Sequence, residues 1–140
     1  MTSAVAAPAA AGIPLTHRGL SGGFTVLTAR LAGGSNNDLR RSATASDTIV
    51  VLMAAGALDL ACAELIAGGR ASDEPAAVVS SATTAGQRSV VSTLAELPAA
   101  AAAAGIRAPA TLVVGPVVRL AVSIGTPARR AADQSVAAPS

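Results

Sequence analysis

Residues 48–53 read Thr-Ile-Val-Val-Leu-Met, an unbroken aliphatic run rich in β-branched residues. Successive side chains of a strand point to opposite faces, so such a run suits a strand buried on both. Ala110 to Val114 (Ala-Thr-Leu-Val-Val) is a second run of this kind, ending at Gly115. Phe24 to Thr28, Ala76 to Val79 after Pro75, and Ser89 to Leu94 also read as strands. Between them, Leu58, Ala61, Cys62, Leu65 and Ile66 keep helical spacing, stopped by Gly68-Gly69. Ala95 to Ala104 reads as a helix with Pro98 in its first turn and Gly105 as its stop. Strands thus alternate with helices at least twice, which predicts an α/β fold, a mixed β-sheet flanked by helices.

The remaining segments are less regular. Residues 1–11 are Ala-rich and read as a helix start with Thr2 or Ser3 as N-cap. Pro8 keeps that helix short, and Gly12 with Pro14 ends it. Residues 32–46, rich in Gly, Ser, Asn and Asp, read as a loop. Val117 to Ile124 alternates weakly and reads as an edge strand, and residues 126–140 read as a disordered tail.

Composition removes several function classes. Phe24 is the single aromatic residue, so the core is Val, Leu, Ile and Ala, and a base-stacking surface is excluded. The net charge is +2, and all ten basic residues are Arg. They are scattered apart from Arg40-Arg41 and Arg129-Arg130, so no stripe for nucleic acid forms. An all-Arg set does suit forked hydrogen bonds to carboxylates or phosphates. Cys62 is the only cysteine and His17 the only histidine. A disulfide framework and a Cys/His metal site are therefore excluded, and Cys62 reads as a small core residue. No apolar run reaches the ~18–20 residues that span a membrane. The N-terminus lacks the basic start of a signal peptide, so the expected compartment is the cytoplasm.

Ala11-Gly12-Ile13-Pro14-Leu15-Thr16-His17-Arg18-Gly19 stands out against this apolar background. Thr16, His17 and Arg18 are three polar side chains in a row. One reading is a site. The other is a structural His-Arg pair bonded to loop carbonyls.

With these elements placed, the chain resembles the C-terminal half of the uroporphyrinogen-III C-methyltransferases, within the tetrapyrrole methylase family. The segment just quoted, preceded by Thr2-Ser3-Ala4, carries the resemblance most strongly. Four others support it: Asp47 through Met53; Ala67-Gly68-Gly69-Arg70 with Pro75; Ala82-Thr83-Thr84 with Gln87-Arg88; and Ala104-Gly105-Ile106-Arg107 with Pro109-Ala110 and Val113-Val114-Gly115. They follow the family's order from about residue 2 to residue 122.

The resemblance implies S-adenosylmethionine-dependent methylation of two pyrrole carbons of uroporphyrinogen III, through precorrin-1 to precorrin-2, on the way to sirohaem and cobalamin. It implies no metal. Thr2, Ser3, Met53, Ala82 and Ala110 match family positions at the cofactor, and His17 and Arg18 are assigned to the substrate, which carries eight carboxylates. Arg88 and Arg107 read as solvated. No catalytic acid or base is assigned, since aligning an activated methyl with a nucleophilic carbon needs none.

The resemblance divides the chain into a linker remnant at 1–12, the family's C-terminal domain at 13–124, and a tail at 125–140. It implies an incomplete chain, a homodimer or a half that pairs with a separate N-terminal domain. The departures are Ala54 where the family has Gly after Met, Ala82 where it has Gly before Thr83, and Pro116 where it has Glu. Two other expectations are a non-catalytic dimerising or tetrapyrrole-binding module of the same fold, and a methylase of a later corrin precursor.

Overall fold

A computed structural model describes residues 3–19, 21–29, 37–82 and 84–123. The elements in chain order are α1 (Ser3–Ala10), β1 (Phe24–Thr28), α2 (Asn37–Arg41), β2 (Thr48–Leu52), α3 (Leu58–Ala67), β3 (Pro75–Ser80), β4 (Arg88–Thr93), α4 (Leu97–Ala104), β5 (Ala110–Val114) and α5 (Leu120–Ser123). Short 3-10 turns precede α3 and α5.

The five strands form one mixed sheet in the order β1-β2-β5-β3-β4. β1 and β2 are parallel, while β5 runs antiparallel to both β2 and β3, and β4 antiparallel to β3. β1, β2 and β3 therefore share one direction. Their C-terminal ends and the N-terminal ends of β4 and β5 make one edge of the sheet, here called the upper edge. Ser80 pairs there with both Ala110 and Arg88.

The two aliphatic runs occupy the doubly covered interior. Ile49, Val50 and Val51 of β2 and Leu112, Val113 and Val114 of β5 are fully buried. On one face Ile49, Val51, Ala76, Val78, Leu112 and Val114 pack against Leu39 of α2, Ala61, Cys62 and Leu65 of α3, and Leu97 and Ala101 of α4. On the other, Ala77, Val79 and Val113 meet Ala7 of α1, Ala11, Ile13, Val117, Val118 and Ala121. This second cover is narrow, and it leaves Phe24, Val26 and Val91 of the outer strands exposed.

Two expectations change. Residues 37–41 are helical within the segment read as a loop, because Leu39 is buried against α3 and tertiary packing outweighs the local polar composition. Val117 to Ser123 turns helically instead of forming an edge strand. Gly115 breaks the strand at φ 146° and Pro116 starts the turn. Val117, Val118 and Ala121 then reach one cluster at helical spacing. The tail at 125–140 and Thr2 lie outside the described residues.

The lower edge is held by Arg70, 8% exposed in the α3–β3 connection just after Gly68-Gly69. Its guanidinium donates to the carbonyls of Ala43 (3.0 Å), Ser46 (2.8 Å) and Asp47 (2.7 Å) and to both carboxylate oxygens of Glu74. Gly115 sits against the same segment, and a Cβ there would lie 2.6 Å from the Asp47 carbonyl oxygen.

Candidate functional site

Two described non-glycine residues adopt positive φ, Met53 at 54° and Ser81 at 52°. They occupy equivalent places, each directly after the last residue of one of two strands that run in the same direction on either side of β5, β2 and β3. Left-handed backbone costs an L-residue ~1–2 kcal/mol and persists where neighbouring structure over-determines it. Both positions are fixed from the strand between them. The Ala54 N–H donates to the Ala110 carbonyl at 3.1 Å, and the Ser81 N–H to the Pro109 carbonyl at 2.9 Å. Met53, Ser81-Ala82 and Pro109-Ala110 are thus brought together at the upper edge, although they lie far apart in sequence.

The local chemistry is apolar and small. The Met53 side chain is 54% exposed, and Ala82 is half-buried against the α1 cluster. Ala110 is 4% exposed with its methyl in the core, so it acts on the edge through its carbonyl. Thr84 organises the loop after Ser81. Its Oγ1 donates to the Ser81 carbonyl at 2.7 Å and accepts the Gly86 N–H at 3.2 Å. Gln87 follows, and its side-chain amide donates to the Ala10 carbonyl of α1 at 3.1 Å.

Arg88 and Arg107 belong to the same edge. The Arg88 guanidinium caps the last turn of α4 through the Ala104 carbonyl at 2.6 Å. Arg107 is exposed, and its carbonyl accepts the Ser80 hydroxyl at 2.6 Å. Ser3 begins α1, of which only the backbone is described at that residue.

His17 and Arg18 lie elsewhere. The His17 and Ser21 backbones pair in both directions at 2.9 Å, closing a tight turn. The Ser21 hydroxyl lies 2.7 Å from the Thr48 hydroxyl at the start of β2. This puts the turn at the lower edge, one strand length, about 15 Å, from Met53. Both side chains are exposed, and His17 Nδ1 lies 3.0 Å from the Arg18 carbonyl, a bond its Nδ1–H tautomer donates. The structure brings Met53, Ala82 and Ala110 together and does not bring His17 and Arg18 to them.

Cys62 is 2% exposed, and burial, with a smaller contribution from the Asp59 carboxylate, pushes its thiol up to about 12. It is a core residue, not a nucleophile. Glu64 of α3 receives a forked bond from Arg40 of α2 at 3.0 and 3.1 Å. Among the described residues no cluster of His, Cys, Asp or Glu could hold a metal ion, and no helix is long and apolar enough to cross a membrane.

Sequence reasoning from spacing and composition missed Ser81, whose positive φ has no composition signal, and the tether made by Gln87. A strand ending directly in a Ser-Ala-Thr-Thr loop was the available hint.

The family model for Tetrapyrrole (Corrin/Porphyrin) Methylases matches residues 1–98. The chain belongs to the tetrapyrrole methylase family. Among tetrapyrrole methylases it is 43% identical over 122 residues to a siroheme synthase of Chromobacterium violaceum, covering 86% of this chain and 26% of that protein. It is 40% identical over 123 residues to a uroporphyrinogen-III C-methyltransferase of Pseudomonas aeruginosa, covering 88% and 50%. The uroporphyrin-III C-methyl transferase of Thermus thermophilus, solved with S-adenyl homocysteine, superposes with a TM-score of 0.68 at 40% identity, covering 79% of this chain and 49% of that one. A cobalt precorrin-4 methyltransferase superposes at 0.74 with 26% identity, covering 84% and 50%. The chain thus spans half or less of the length of these relatives, and its mixed five-stranded sheet with helices is the tetrapyrrole methylase fold.

Proposed function

We propose that this chain forms the C-terminal half, residues 13–124, of an S-adenosylmethionine-dependent C-methyltransferase acting on uroporphyrinogen III to give precorrin-2. A polypeptide corresponding to the rest of the relatives supplies the other wall of the site. The observation that carries the reading is the convergence of Met53, Ser81-Ala82 and Pro109-Ala110 at one edge of the sheet, with both strand ends held in left-handed backbone.

That edge fits the cofactor on chemical grounds. The exposed Met53 thioether offers a soft apolar contact, and Ala82 lets a flat ring approach the backbone closely. When bound, S-adenosylmethionine supplies a methyl group already activated on a sulfonium sulfur. The protein's work is then to orient the reactants and exclude water. Met53 and Ala82 form one wall, and the bonds from Ala54 and Ser81 to Ala110 and Pro109 keep that wall fixed. Ser3, the first residue of the helix packed behind Ala82, belongs to the same proposed set, as does its sequence neighbour Thr2. Met53, Ala54, Ser81, Ala82, Pro109 and Ala110 include no acid or base, so catalysis by positioning is the mechanism this edge can perform. Arg18 and His17, at the lower edge, meet carboxylate arms of a substrate only where a second polypeptide extends the cleft to them.

That the chain spans half or less of its relatives' length favours a second reading, a module of the same fold that binds ligand without turnover. Calorimetric titration of the chain with S-adenosylhomocysteine, alone and with a separately expressed N-terminal half, tests the proposal. The enzyme reading expects saturable binding in at least the reconstituted pair, together with methylation of uroporphyrinogen III. Binding without turnover supports the module. No binding in either preparation overturns both.

A further inference from the structure

Helix α1 is a poor helix by itself. It has eight residues, it contains Pro8, and short isolated helices are marginal in water. Its C-terminal end must also satisfy the carbonyls that have no partner within the helix. The turn that follows closes three of them. The Ala7 carbonyl accepts the Ala11 N–H (3.3 Å), the Pro8 carbonyl accepts the Ala11 and Ile13 N–H groups (3.0 and 2.8 Å), and the Ala9 carbonyl accepts the Gly12 N–H (3.0 Å). The fourth, Ala10, receives the side-chain amide of Gln87 at 3.1 Å, across 77 residues of sequence.

Gln87 is placed to use this bond. It ends the loop that starts at the left-handed Ser81 and carries Ala82, and its own N–H donates to the Thr84 carbonyl at 3.1 Å. Thr84 in turn holds the Ser81 carbonyl. One continuous set of bonds therefore runs from Pro109, the residue before β5, through Ser81 and Thr84 to Gln87 and on to α1. Ala82 packs on the cluster that includes Ala7 and Ala11, so the helix and the loop share a buried contact as well as the tether.

We propose that Gln87 is a positioning residue: its amide donor locks the end of α1 to the Ala82 loop and so sets the helix against the upper edge. The proposal rests on the reading of that edge as the cofactor site. Losing the bond frees α1 to shift, and the binding surface behind Ala82 loosens with it.

The test compares Gln87→Leu, Gln87→Lys and Gln87→Glu in the full chain, reading amide exchange at Ala11, Gly12 and Ile13 and affinity for S-adenosylhomocysteine. Leu removes the donor, Lys restores one that suits a helix C-terminus, and Glu faces the carbonyl with a second acceptor. Leu is expected to speed exchange and weaken affinity about three- to ten-fold, the reach of one hydrogen bond. Glu should do more than Leu, and Lys should recover to within about two-fold of wild type. A role in packing alone would instead make Glu the best substitute and leave Lys as poor as Leu, and that order overturns the proposal. Exchange unchanged in Leu also overturns it, as does exchange that follows the donor order while affinity does not. If the wild-type chain binds no S-adenosylhomocysteine with or without an N-terminal half, the cofactor reading fails, and the proposed positioning role fails with it. The exchange order would then report the tether by itself.

Discussion

Arg70→Met should be among the most damaging substitutions outside the central strands. Methionine keeps most of the stem's packing and removes the guanidinium, whose five N–H donors are all engaged. Three carbonyls of the segment before β2 then lose a charged donor, and Glu74 loses its counter-ion while only 16% exposed. Breaking a buried pair by removing one partner costs ~3–5 kcal/mol. Glu74 and the neighbouring carbonyls lie near an open recess that water can enter, which puts the loss at the lower end, about 3 kcal/mol. Against a total of ~5–15 kcal/mol for a domain, this is a large fraction. Arg70→Lys keeps the charge and loses the fork, so it should recover less than half of the loss. Equilibrium urea unfolding followed by circular dichroism measures both, with the slope against urea unchanged if only stability moves. A loss below ~1 kcal/mol for Arg70→Met would refute the claim that this side chain organises the lower edge.

Gly68→Ala should destabilise by ~1–3 kcal/mol in the same assay, because the added Cβ would overlap the Arg40 carbonyl and come within 2.7 Å of the Ala43 Cβ, forcing α2 off α3. Met53→Gly should move two measurements in opposite directions: relief of the left-handed backbone raises the thermal midpoint or leaves it unchanged, while loss of the thioether weakens S-adenosylhomocysteine binding. Cys62 titrates at about 12 in the fold because burial and then Asp59 disfavour its thiolate, against 9.0 ordinarily. The raised value means the folded state keeps its proton longer than the unfolded chain. Stability from this group is whole below pH ~9 and falls by ~1.4 kcal/mol per pH unit up to ~12. Unfolding midpoints measured across that window should decline less steeply in Cys62→Ala than in wild type.

How much of this was legible in the sequence depended on how local the cause was. β2 and β5 were legible because burial on both faces writes an unbroken aliphatic run. α4 was legible because Pro98 and Gly105 mark its ends, with Gly105 taking the left-handed cap at φ 73°. α2 was not, because a polar five-residue segment becomes helical only through Leu39 and its contact with α3. Val117 and Val118 looked like strand because β-branched residues favour it, yet the turn at Gly115-Pro116 sends them to the α1 cluster. The site divided in the same way. Met53, Ala82 and Ala110 came from motif resemblance, and the sheet order brings them together. His17 and Arg18 came from the strongest motif, but strand direction carries them to the opposite edge, a fact of topology that adjacency in sequence does not encode. Ser81 and Gln87 act through backbone conformation and one long-range bond, which leave no mark in composition.

The central claim is that the upper edge of the sheet is the cofactor's side of a methyl-transfer site. Two-dimensional amide NMR of the chain titrated with S-adenosylhomocysteine, with the N-terminal half added where needed, tests it most directly. The claim predicts shifts concentrated at Met53-Ala54, Ser81 to Gln87 and Ala110, with Phe24, Thr48 and Gly115 at the lower edge unmoved. Shifts confined to the turn at His17–Ser21 and the start of β2, or none up to millimolar ligand, would contradict it.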